Sequence, residues 1–270
     1  MKKHILGISL LISAFSSSVN AHDFWLQPNT FNASQQTALT VAFKVGHHYD
    51  SENWDLQPFR VVSLFHHAGD KKQDVSGQII SRTAVTPGLV KLNVSSEGTH
   101  LVSFESTESI SRLSAEKFND YAEEEGLTAI IANRNALNNA DKEGVERYSR
   151  RAKAIIQVGD TTTENALMPV GHSLEIVPVD HPYQALENEK LRVKVLFMGN
   201  ALSGASIDLT RLDSETHNRQ ATKTDENGIA EFPLTQSGKW MLNTIWGTPA
   251  DDKTGDEFVT YFSSLTFGYE

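Results

Sequence analysis

The sequence predicts a mainly β protein built from two β-sandwich domains, the first carrying a helical insertion. Three observations lead there. Short apolar stretches alternate with polar residues along most of the chain and are punctuated by Gly, Pro, Asp and Asn turns. The alternation lapses between about 110 and 153, where apolar residues recur at helical spacing. It then returns after a polar linker opened by His181-Pro182. These shifts predict a domain over 22–182 with an insertion at about 110–153, and a second domain over 183–270 of immunoglobulin-like or transthyretin-like type.

In order along the chain, Lys2 and Lys3 precede an apolar run from Ile5 to Phe15, then small residues and Val19-Asn20-Ala21. This pattern predicts a secretory signal peptide over 1–21, cleaved after Ala21. The run is too short to span a bilayer, and no later stretch approaches the ~20 apolar residues a membrane helix needs. The expected mature chain is therefore periplasmic, free and not inserted in the membrane. Strands are predicted at Thr37–Val45, Phe59–His66, Gly88–Val94 and His100–Glu105. Ser114 is positioned to cap a helix bearing Phe118, Tyr121 and Ala122 that Gly126 closes. Leu127–Leu137 and Lys142–Lys153 read as two further helices. Strands resume at Ala154–Val158 and Ser173–Val177. The second domain is expected to use Leu191–Phe197, Ala205–Leu212, Ile229–Leu234, Lys239–Trp246 and Phe258–Phe267, with a turn at Thr224–Gly228.

Composition narrows the chemistry. There is no cysteine, which removes disulfides, thiolate metal sites and thiol catalysis. The formal net charge of −10 falls by two more units once Lys2 and Lys3 are lost. Such a field repels nucleic acid and mildly concentrates cations. No Gly-x-Ser-x-Gly elbow, phosphate-cradling glycine loop or His-Glu-x-x-His is present, and the chain is not expected to be an enzyme. The Glu123-Glu124-Glu125 run reads as a solvated helix face.

Ten histidines are present, and all but His4 survive signal cleavage. Cleavage after Ala21 would make His22 the first residue. It would then offer two nitrogens to one ion, its free α-amine and its imidazole Nδ1. The competing reading is that a histidine falls at the cleavage site by accident. His47 and His48 follow the first long strand, with Gly46 permitting a turn. They are either further ligands or polar residues of an exposed loop. In His66-His67 the strand alternation sends one side chain inward and one outward. His100 opens a strand, and His172 precedes one. Asp23 is a candidate ligand or an acceptor that orients an imidazole. Phe24, Trp25, Tyr49 and Trp54 supply apolar bulk nearby. The candidate metal residues are thus His22, His47, His48, His100, His66 and Asp23. Imidazole and carboxylate donors suit Ni²⁺ or Co²⁺, with Cu²⁺ and Zn²⁺ also fitting.

Ala21-His22-Asp23-Phe24-Trp25-Leu26-Gln27-Pro28 resembles the start of the DUF4198 family. The resemblance continues at Gly46-His47, at Tyr121 through Leu127, and at Tyr148 through Ala154. It extends to Leu174 through Pro178, Gly199 through Ala205, Thr224 through Phe232 and Gly238-Lys239-Trp240. Asn200 and Ser203 depart from the Lys and Pro that relatives often carry, in a surface turn away from the candidate ligands. The resemblance implies a periplasmic component of cobalt or nickel uptake, with His22 carried over first as a ligand and His47 second. Its implied partners are the metal ion and a membrane transporter or outer-membrane receptor. Two alternatives stay open: a copper histidine-brace oxidative enzyme, and a non-metal secreted interaction module.

Overall fold

The computed structural model describes residues 23–47, 50–80, 88–214, 219–251 and 255–269, with His47 described by its backbone alone. The predicted signal segment 1–21, His22, His48, Tyr49 and His217 lie outside these residues. In chain order the strands are β1 (Asp23–Pro28), β2 (Asn32–Ala33), β3 (Ala38–His47), β4 (Asp50–Asn53), β5 (Val61–Ala68) and β6 (Lys71–Asp74). Then come β7 (Ile79–Ile80), β8 (Leu89–Asn93), β9 (Gly98–Ser106) and β10 (Ser109–Leu113). Helices α1 (Ala115–Glu124) and α2 (Thr128–Ala136) precede β11 (Gly144–Val158), β12 (Leu174–Pro178) and the short α3 (Pro182–Ala185). The chain ends with β13 (Lys190–Phe197), β14 (Asn200–Ala201), β15 (Ser206–Arg211), β16 (Arg219–Lys223), β17 (Ile229–Pro233), β18 (Lys239–Pro249) and β19 (Phe258–Gly268).

The strands among the described residues form three sheets, so the mainly β expectation holds. The first runs β1-β3-β8-β7, with β4 on β3. The second runs β16-β15-β18-β19-β11-β9-β5-β6, with β10 and β2 on β11. The third joins β12, β13, β14 and β17. The long central sheet is covered on both faces, and its alternation shows how. Leu101, Ile155, Leu242 and Leu265 share one core with Ile176, Val193 and Phe232 of the third sheet. Val102, Phe104, Ala154 and Ile156 share another core with Leu26, Val41, Phe43 and Val90 of the first sheet. A third cluster seats Phe118, Tyr121, Leu127 and Ile130 of the helices on Ile245, Phe258 and Phe262 of the central sheet. Each fully buried large apolar side chain contributes about 1.5–3 kcal/mol.

Strand pairing crosses position 182 twice. β12 pairs antiparallel with β13, Ile176 opposite Val195. β11 pairs parallel with β19, Arg150 opposite Phe262 and Ala154 opposite Thr266. Residues on either side of position 182 therefore pair in both the second and the third sheet.

The helix expected over Lys142–Lys153 is instead the first part of β11, the longest strand among the described residues. Its charged residues mimic the polar face of a surface helix, but in the fold Glu146, Arg151 and Lys153 are buried and paired. Arg151 Nη2 donates to Glu105 Oε1 at 2.9 Å, and Lys153 Nζ donates to Glu175 Oε1 at 2.7 Å. On the opposite face Glu146 Oε2 accepts from Thr260 Oγ1 at 2.7 Å. Burial on both faces, with neighbours on both sides, overrode a helix-like pattern. The other two helices stand where expected. Ser114 occupies the N-cap position of α1 without a side-chain capping bond, and Gly126 follows with φ +66°.

Candidate functional site

The start of β1 is the anchor for the expected N-terminal site. Asp23 pairs with Gly46, and His47 pairs with Asp50 across the β3–β4 hairpin. Gly46 is required there. Its φ is +143°, and a Cβ would meet Asp50 O at 2.4 Å and Ser51 Cα at 2.7 Å.

Asp23 faces the central sheet, where Asn243 Nδ2 donates to its Oδ1 at 3.0 Å. Asp208 is buried nearby on the same face and accepts from Arg219 Nη2 at 2.5 Å. Glu125 reaches the group from the turn between α1 and α2. That turn is pressed against β15: a Cβ on Gly126 would lie 2.4 Å from Ser206 Oγ. Burial raises the Asp23 carboxyl to about 7, with Arg219 opposing and Asp208 adding to the rise. Burial raises Glu125 to about 7 as well, and the charge on Asp23 adds to it. Two further carboxyl groups from distant parts of the sequence, Glu125 and Asp208, with the Arg219 guanidinium among them, therefore lie near Asp23, the first described residue. Such a group favours a cation and resists a second anion.

On its other side the strand start is aromatic. The Phe24 ring lies 5.1 Å from Trp54, edge to face, and 5.4 Å from Phe104. The Arg150 guanidinium lies 5.7, 5.3 and 5.0 Å from the Phe24, Trp54 and Tyr148 ring centres. Trp25 is buried, with Nε1 donating to Gln27 Oε1 at 3.2 Å. Phe24 and Trp54 pack into the core that the first sheet shares with the central sheet.

His66 and His100 are elsewhere. They sit on β5 and β9, three or more strand spacings from β18 and its Asn243, roughly 14 Å or more across the sheet. There they face each other, His66 Nε2 to His100 Nδ1 at 2.8 Å. They do not join Asp23. His67 points to the opposite face, its Nε2 3.0 Å from Ser103 Oγ. His172 is buried near the Lys153–Glu175 pair with no partner on Nδ1. His181 Nδ1 accepts from the Tyr183 N–H at the start of α3. Among the described residues no three His, Asp or Glu side chains converge to hold a metal ion.

Sequence reasoning missed Glu125 and Asp208. Glu125 belonged to an acidic run that reads as solvent-facing. Asp208 alternates with Ile207 and Leu209 and so reads as the outward side of a strand. Both faces of that sheet are covered, and the α1–α2 turn and β1 lie on the side that Asp208 occupies. Only the topology reveals this.

These features define a layered β protein whose first strand begins against a carboxylate group and an aromatic wall. The family described as a domain of unknown function, DUF4198, matches residues 19–248, and the chain belongs to it. No curated protein matches the sequence. Among solved structures, murine CEACAM1b is 8% identical over 92% of this chain and 99% of that one, with a TM-score of 0.20. The FN1–FN3 domains of chicken CNTN1 are 6% identical, covering 93% and 69%, with a TM-score of 0.20. Dimeric latent PorU from Porphyromonas gingivalis is 9% identical, covering 96% and 21%, with a TM-score of 0.22. Overlaps this slight bear on neither fold nor function. No helix among the described residues is long and apolar enough to cross a membrane.

Proposed function

We propose that the processed protein binds a divalent transition metal, nickel or cobalt, in the periplasm and supports its uptake by a membrane transporter or outer-membrane receptor. His22 would ligate through its α-amine and Nδ1 once residues 1–21 are removed, with His47 or His48 adding a nitrogen. The observation that carries this reading is the register of Asp23 with Gly46, the residue before His47. The flanking carboxylates Asp23, Glu125 and Asp208 support it by favouring a cation, and Asp23 is bonded directly to the proposed ligand.

The amine titrates near ~8 and imidazole near ~6.5. Both must be deprotonated to ligate, so affinity falls steeply as pH drops. Calorimetry with Ni²⁺ and Co²⁺ on the correctly processed protein is the test. His22→Ala, or one residue added before His22, is expected to abolish tight binding. Unchanged affinity in either variant defeats the proposal.

A further inference from the structure

We infer that His66 and His100 form a transition-metal site of their own, separate from the chain start and independent of the N-terminal reading. The two residues lie diagonally on neighbouring antiparallel strands, with His66 opposite Val102 and Ala68 opposite His100. Their rings stack at 5.0 Å and 28°. His66 Nε2 and His100 Nδ1 stand 2.8 Å apart and share one hydrogen. The other nitrogen of His100, Nε2, is 3.1 Å from Ser96 O and must donate to it, because a carbonyl only accepts. His100 Nδ1 therefore holds a lone pair, and His66 Nε2 holds the shared hydrogen.

An imidazole whose far N–H is fixed by a carbonyl is in the tautomer a metal ligand needs. A metal ion enters this pair by replacing the shared hydrogen. The His66 proton moves from Nε2 to Nδ1, so both rings stay neutral and no proton is lost overall. Metal–nitrogen bonds of about 2.0–2.1 Å in tetrahedral geometry set the two nitrogens roughly 3.3 Å apart. The pair must open by about half an ångström, a small ring rotation along the broad χ2 of histidine. His66 is next to edge strand β6, with exposed Gln73 opposite it in register, so its amide oxygen and water can complete the coordination. Neutral nitrogen donors select Zn²⁺, Ni²⁺ or Cu²⁺ over Mg²⁺ and Ca²⁺. With two protein ligands this is the weaker of the two proposed sites.

Cu²⁺ is the probe, added to processed protein carrying His22→Ala so that the chain start is disabled. Calorimetry is expected to show one bound equivalent, and electron paramagnetic resonance to show coupling to two nitrogens. Adding His66→Gln should weaken binding at least tenfold and remove the coupling. His66→Phe, which keeps a ring in place, should do the same, and thermal unfolding checks that both variants fold. If His22→Ala protein takes up no copper, or if the His66 variants bind it equally well, the site does not exist. Failure of the N-terminal reading is seen separately, between wild type and His22→Ala.

Discussion

Removal of the Glu175 carboxylate should be among the most damaging single changes in the protein. Lys153 and Glu175 are 2% and 1% exposed and lie 2.7 Å apart, joining the central sheet to the third sheet. Burial pushes the Glu175 carboxyl up, but Lys153 and the backbone N–H groups outweigh it and hold it below the usual carboxylate range. Those N–H groups belong to Val170, Gly171 and His172, at 2.8, 3.0 and 3.2 Å. Glu175→Ala leaves one buried ammonium and three backbone donors without their acceptor. Breaking a buried pair from one side costs about 3–5 kcal/mol. At about 2–4 °C per kcal/mol for a chain of this size, the melting temperature should fall by roughly 6–20 °C. Guanidinium denaturation of wild type, Glu175→Ala, Lys153→Met and the double variant measures it. The double variant should cost clearly less than the two single losses added together, because the stranded charge is gone. A loss under about 1 kcal/mol for Glu175→Ala is what a solvated pair gives, and that result would refute the buried-pair argument.

Stability should also fall on acidification. Burial, with nearby His100 and His67, lowers His66 to about 4, and burial with nearby Lys153 lowers His172 to about 3. Below about 6.5 the unfolded chain takes up protons that the native state refuses, so each residue costs about 3 kcal/mol by pH 4. Urea titrations at pH 7, 5.5 and 4 should show this decline, and His172→Gln should flatten it; a flat wild-type profile contradicts the assignment of neutral buried rings. Gly126→Ala combines φ +66° with a contact on Ser206 Oγ. It should destabilise by about 1–3 kcal/mol, with Ser206→Ala relieving the contact but not the backbone strain, as differential scanning calorimetry can resolve. Phe104→Ala empties a position between Phe24, Phe43 and Trp54 and should cost about 3–5 kcal/mol in chemical denaturation.

The strands were legible because alternation is a local property. Ile229–Pro233 and Phe258–Gly268 stand within a residue of where their patterns put them. The α1–α2 pair was legible from Phe118, Tyr121 and the Gly126 stop. Charged residues misled where partners come from far away: Arg151 and Lys153 look solvent-facing until Glu105 and Glu175 are set against them. The same blindness hid Asp208 and Glu125 near Asp23, since nothing local in the sequence says that three carboxyl groups 83 or more residues apart will meet. The separation of His66 and His100 from Asp23 was equally hidden, because it depends on strand order.

The parallel pairing of β11 with β19 has a bearing on how the protein comes into being. β11 occupies the middle of the broad sheet, yet one of its edges stays bare over residues 146–154 until residues 258–268 have been synthesised. No early portion of the polypeptide can complete its own interior, so a prematurely terminated product would expose an unpaired ribbon rather than a smaller working unit.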